Sequence, residues 1–361
     1  MKKTVILRVL RFMTLILAVL AVPVSGQTTS GPQAVTPYTL TVFAQAPSGL
    51  SAPDSIAVLK DHVFIGYGDG HAPDGSDGLS SQVVEYDLKG NVIHTYTVVG
   101  HNDGIKIDPV THLVWAMQNE DLNPNLVIIN PQNHQQTEYT FGPTPHGGGY
   151  DDIVFRGCKV YFSASNPANN PNTGPAIVSG TLKGNMVEVS PVLAGEASAV
   201  DIPSDASMTL NLQDPDSMTL DPLGNIVLDS QGDQQLIIVS NPGTSNQTAV
   251  RLPLSYLLPS GKPMAVETDD TAFTTSSEGF ILFADKGLNT VYKLSKKAFA
   301  PGAAYTAADG GPFVGTIDMT TGIITPIVAG LSNPGGLVFV DTSKHTRALG
   351  ESEGCHERDW E

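Results

Sequence analysis

Positive charge is scarce in this chain: Lys and Arg number 19 against 36 Asp and Glu, a formal net charge of −17. A surface of that sign repels polyphosphate and anionic lipid and attracts cations, so nucleic acid is excluded as an expected partner. Cysteine is nearly absent. The two present, Cys158 and Cys355, make no disulfide framework, and Cys158 falls in a strand-like run where it reads as a small buried apolar residue. No long helical period follows the first two dozen residues. There is no HExxH, P-loop, dinucleotide fingerprint after a strand, or nucleophile elbow, so serine-triad hydrolysis and nucleotide chemistry have no support. What the chain has in quantity is Gly (36) and Pro (26), the punctuation of many short strands and turns.

Residues 1–26 differ from the rest. Lys2, Lys3, Arg8 and Arg11 precede an apolar run from Phe12 to Val22, too short to span a bilayer comfortably, and small residues up to Gly26 follow. This reads as a secretory signal peptide, with an uncleaved anchor as the alternative. With four positive charges and no acid removed, the formal charge of −17 becomes −21. The expectation is a secreted or periplasmic protein without stable membrane insertion after cleavage, its oligomeric state left open. Residues 27–36 read as a disordered leader and 37–342 as one folded domain. The charge-dense 343–361 reads as a disordered tail or the product of a shifted reading frame; His345, Cys355 and His356 in it match no standard metal spacing.

A loose repeat organises the domain. Asp216-Ser217-Met218-Thr219-Leu220 leads through a turn to Ile226-Val227-Leu228, and the same shape starts at Asp54, Asn102, Asp151 and Asp269. Asn333 to Val340 is a sixth copy of the first half only. Self-similarity at about 40–60 residues with several short strands per unit is the signature of an all-β fold, the β-propeller, here most simply six-bladed, with five or seven as alternatives. Tyr38–Phe43 has the place of an outermost strand that completes the last blade. The fifth unit is expected to run from Asp269 through Thr290–Leu294, with an insertion at Lys296–Gly311, and the strands between the last blade's two edges are not identified.

In such a fold the residues just before the inner strands converge at one mouth of the channel. Asp54, Asn102, Asp103, Asp151, Asp152, Asp216, Asp269 and Asp270 hold that position. Oxygen ligands gathered from several blades suit a hard divalent cation such as calcium; at each position the alternative is a turn residue capping backbone N–H groups. His101 and His146 precede mouth motifs, as substrate contacts, metal-ligand supports or solvated loop residues. The Asp- and Gly-rich loop Gly68–Gly78 is a peripheral calcium loop or, as favoured here, a plain turn. Gln118 to Asp121 reads as a rim of the same face or, as favoured here, a solvated turn.

Asn102-Asp103-Gly104 with Asp108-Pro109, and Pro215-Asp216-Ser217-Met218 with Asp221 and Gly224, resemble the inner-strand motifs of the regucalcin/gluconolactonase-like family; NHL-type secreted propellers form the wider group. The resemblance implies a six-bladed propeller holding one divalent metal by Glu, Asn and Asp and hydrolysing sugar lactones. It implies that Asp216 is metal ligand and catalytic base, and that Asp151 and Asp54 stand for the family's Asn and Glu ligands. Asn102 and Asp103, with His146 before the next motif, fall on the substrate side. Asp in place of Asn at 151, and a shorter acid near 54, depart from the pattern. The function implied is metal-dependent lactone or ester hydrolysis. A non-catalytic propeller binding a small ligand, a glycan or a protein partner is the alternative.

Overall fold

The structure, a computed structural model, describes residues 31–343; the signal segment, the first leader residues and the tail beyond 343 lie outside it. Every regular element among the described residues is a strand, and no helix there is long and apolar enough to cross a membrane. The strands form a β-propeller whose ladders start from six inner strands.

The innermost strands are Pro53–Leu59, Asn102–Ile107, Ile153–Arg156, Pro215–Leu220, Thr271–Phe273 and Pro334–Asp341. Each contacts the next in that order and the last contacts the first, so the ring is closed. Six apolar cores lie between neighbouring blades. Val114 and Ala116 of blade two face blade one, whereas Trp115 and Met117, alternating with them, face blade three. This two-sided burial explains why the second strands read as unbroken apolar runs rather than alternating ones.

Blades five and six depart from the expected division. After Thr271–Phe273 the chain crosses to blade six, makes Gly279–Asp285 and Thr290–Ser295, and returns for Ala304–Ala308, Phe313–Ile317 and Ile323–Ala329 of blade five. It then ends blade six from the inside with Pro334–Asp341, while Thr39–Gln45 pairs with Thr290–Ser295 on the outside. The strands missing from the last blade are therefore those assigned to blade five. The supposed insertion holds blade five's true second strand, whose Ala-Tyr-Thr-Ala-Ala sequence is too small and polar to stand out.

Other expectations are corrected too. Gln33–Ala34 of the leader pairs with Val328 and Ala329. The 194–212 connection contains a hairpin, Ser198–Asp201 with Ala206–Thr209, that extends blade four. Cys158 is exposed in the turn between Ile153–Arg156 and Lys159–Ser163, and it is disulfide-bonded rather than a buried thiol.

Closure puts Phe43 of the N-terminal strand edge-on to Tyr86 of blade one, 6.2 Å between ring centroids, in the core that joins blades six and one. Truncating Phe43 to Ala should cost about 3–5 kcal/mol, the usual range for a buried aromatic. Chemical denaturation measures this, and a loss below about 1 kcal/mol would mean the strand does not close the ring.

Candidate functional site

At the start of the inner strands the ladder skips two residues. Pairing jumps from Pro53 to Ile56, from Asn102 to Ile105 and from Pro215 to Met218, and the last blade shows the same offset between Pro334 and Leu337. A bulge frees its residues from the sheet and re-aims their side chains. In blades three and five the corresponding pairs, Asp151-Asp152 and Asp269-Asp270, lie just before the strand begins.

The first residue of each pair turns to the axis: Asp54, Asp103, Asp151, Asp216 and Asp269 line one cavity of 280 Å³. The second residue laces neighbouring blades. Ser55 Oγ accepts from Ile105 N at 2.9 Å, Asp152 Oδ2 from Met218 N at 2.8 Å, and Asp270 Oδ2 from Leu337 N at 2.8 Å. Lys106 adds an ion pair to Asp152 at 2.6 Å.

The five axial aspartates are not equivalent. Lys286, from the turn after Gly279–Asp285, places Nζ 2.8 Å from Asp54 Oδ2 and 2.9 Å from Asp269 Oδ2. Asp103, Asp151 and Asp216 each offer an oxygen within 4.8 Å of the other two, and none has an ion pair among the described residues.

Burial pushes the carboxyls of Asp103, Asp151 and Asp216 well above the usual range, and repulsion from neighbouring acids adds to it. Asp54 differs: burial is the largest influence and would raise it, but the Lys286 ammonium together with hydrogen bonds from Asp103 and the Gly336 N–H outweighs burial and holds it low. Asp269 stays raised, chiefly by burial, with Asp54 and Asp270 opposing the relief from Lys286.

Above the ring the wall carries Glu120, Asp121, Asp214 and His101. Asn119, buried, accepts from the His101 backbone N–H at 2.9 Å and fixes that loop. The His101 ring sits 3.0 Å by Nδ1 from the His71 carbonyl, and its Nε2 is 3.7 Å from Glu120 Oε1. Glu120 Oε2 is buried with no hydrogen-bond partner among the described residues. Burial raises Glu120 well above its ordinary range, helped by Asp103, and lowers His101.

The sequence expectations meet this geometry unevenly. Asp151 and Asp216 lie together as expected, but Asp54, expected as third ligand, is taken by Lys286. Asp103, expected on the substrate side, stands in the triad instead. Asn102 faces away from the cavity: it is fully buried and donates by Nδ2 to Met117 O at 2.8 Å, because the bulge turns its successor inward. His146 is buried, its Nε2–H donating to Gly149 O at 2.6 Å, and it does not line the cavity. Glu120 and Asp121 form wall rather than solvated turn. The Gly68–Gly78 loop uses Asp69, Asp74 and Asp77 to accept from its own or nearby backbone N–H groups, as a plain turn does.

No protein-family model matches the chain, and no curated protein matches it. Among solved structures, a virginiamycin B lyase from Staphylococcus aureus is similar at 11% identity and TM-score 0.48, over 84% of this chain and 100% of that one. A streptogramin B lyase structure is similar at 13% and 0.46, over 83% and 91%. The periplasmic gluconolactonase of Pseudomonas aeruginosa is similar at 11% and 0.45, over 85% and 99%. At these values the similarity assigns neither family nor activity.

The raised carboxyls make stability pH-dependent in divalent-free buffer. Below the ordinary carboxylate range folded and unfolded chains are both protonated. As the pH climbs from there through the raised range, the unfolded chain sheds protons that the folded chain keeps, and stability is lost. Asp54, held low, acts oppositely in a more acidic window. The unfolding midpoint with chelator should be higher at pH 5 than at pH 8, and Asp216→Asn should narrow the gap. A midpoint that rises toward pH 8 would contradict this picture of the ring.

Proposed function

We propose that this chain is a divalent-metal-dependent hydrolase that opens uncharged lactones or esters at the channel mouth and works outside the cytoplasm. The observation that carries the reading is the Asp103–Asp151–Asp216 triad, three carboxylates from three blades with no cation of their own. An all-oxygen donor set suits a hard cation, calcium first. Bound there, the cation would polarise a carbonyl oxygen and acidify a bound water.

The chain's own groups supply the rest. His101 is placed to take a proton: with Nδ1–H donating to the His71 carbonyl, the Nε2 lone pair faces the wall beside Glu120, and burial keeps the ring neutral. The base role expected at Asp216 passes to His101, since Asp216 serves as a ligand. Eight acids line the cavity against Lys286 and His101. Such a wall admits neutral substrates, disfavours polyanions such as nucleic acid, and repels the carboxylate that ring opening creates, which speeds its release. Export is supported by the basic start and apolar run of residues 1–26 and by the disulfide at Cys158, which fits an oxidising compartment.

Calcium calorimetry on the chain and on Asp216→Ala tests the site. Binding should weaken at least tenfold in the variant. In a screen of sugar and aryl lactones, His101→Ala should lower kcat by about 10²–10⁴ while calcium affinity stays within a few-fold. Calcium binding without turnover of any lactone or ester would make this a ligand-binding propeller; absence of binding would overturn the metal reading.

A further inference from the structure

Six inner strands reach the axis, but only five bring a carboxylate. The sixth position is Gly335, where a Cβ would lie 2.6 Å from both Asp54 Oδ1 and Lys286 Cε. Its neighbour Gly336 is equally constrained, since a Cβ there would meet the Ser55 Cα at 2.7 Å. Blades six and one therefore close through two glycines, and the ring loses one side chain at the seam.

Lys286 fills the space so left. It comes from the second strand's turn rather than from the inner strand, and its ammonium lies on Asp54 and Asp269, the two carboxylates flanking the glycine position. Its side chain is 25% exposed, whereas Asp54 and Asp269 are about nine-tenths buried. The cation is thus delivered from the side onto two acids that water barely reaches. We propose that Lys286 is a tethered cation that occupies one arc of the ring, so that a single divalent ion binds off the axis on the opposite arc of Asp103, Asp151 and Asp216. This rests on the metal reading above and adds what sets the number and place of the ions. Five free carboxylates would serve two divalent ions; with two of them committed to an ammonium, three remain, enough for one.

Counting calcium ions by calorimetry and native mass spectrometry on the wild-type chain and on Lys286→Met tests the proposal. One ion per wild-type chain and two per Lys286→Met chain are expected, the second lost again in Lys286→Met/Asp54→Asn. Lys286→Met leaves two buried acids unpaired, so its unfolding midpoint should fall in chelator and recover in excess calcium by more than the wild type gains. One ion in both chains, or two in the wild type, would overturn the role of Lys286 while leaving the triad a metal site. No ion in the wild type would overturn the triad itself.

Discussion

Five carboxylates pressed around one axis repel one another, and the interior of this protein is arranged to make that tolerable. Two unit charges about 4 Å apart interact by roughly 4 kcal/mol at an effective dielectric of 20. A ring of such neighbours, all ionised, would rival the roughly 5–15 kcal/mol that holds a whole domain folded. Relief comes in three forms. Lys286 offsets the charge on one arc, protons stay on the remaining acids well above their usual range, and on the proposed reading a divalent ion would replace those protons.

The ring is in turn a product of the sheet. The two-residue offset at the mouth of the inner strands frees one side chain for the axis and gives the next a task between blades. Ser55, Asp152 and Asp270 accept backbone N–H groups of blades two, four and six. The acids that create the electrostatic burden thus sit beside residues that lock the blades together. Site and scaffold are built from the same dipeptides, so a charge change at the mouth is felt as a stability change.

Much of this was legible in the chain. A recurring step with an acid at the mouth of five inner strands marked both the blades and the axial ring, and bulge chemistry leaves its local trace at Asp54, Asp103 and Asp216. The exchange of strands between blades five and six was hidden. Gly279–Asp285 follows Asp269 at the distance and with the apolar content of a normal second strand, while Ala304–Ala308 looks like a loop. Lys286 was hidden as well, since Asp285-Lys286-Gly287 reads as a surface turn; only closure of the ring brings it to Asp54, more than two hundred residues earlier. Asn102 misled for a local reason: it adjoins Asp103 and shares its motif, but residues on either side of a bulge point opposite ways.

On the proposed reading the ring carries one tethered and one bound cation on opposite arcs. Crystals soaked in manganese and measured for anomalous scattering test it most directly. One strong peak is expected within about 2.1–2.6 Å of oxygens from Asp103, Asp151 and Asp216, with the Lys286 ammonium still between Asp54 and Asp269. A peak between Asp54 and Asp269 with Lys286 displaced, or no peak in the cavity, would contradict it.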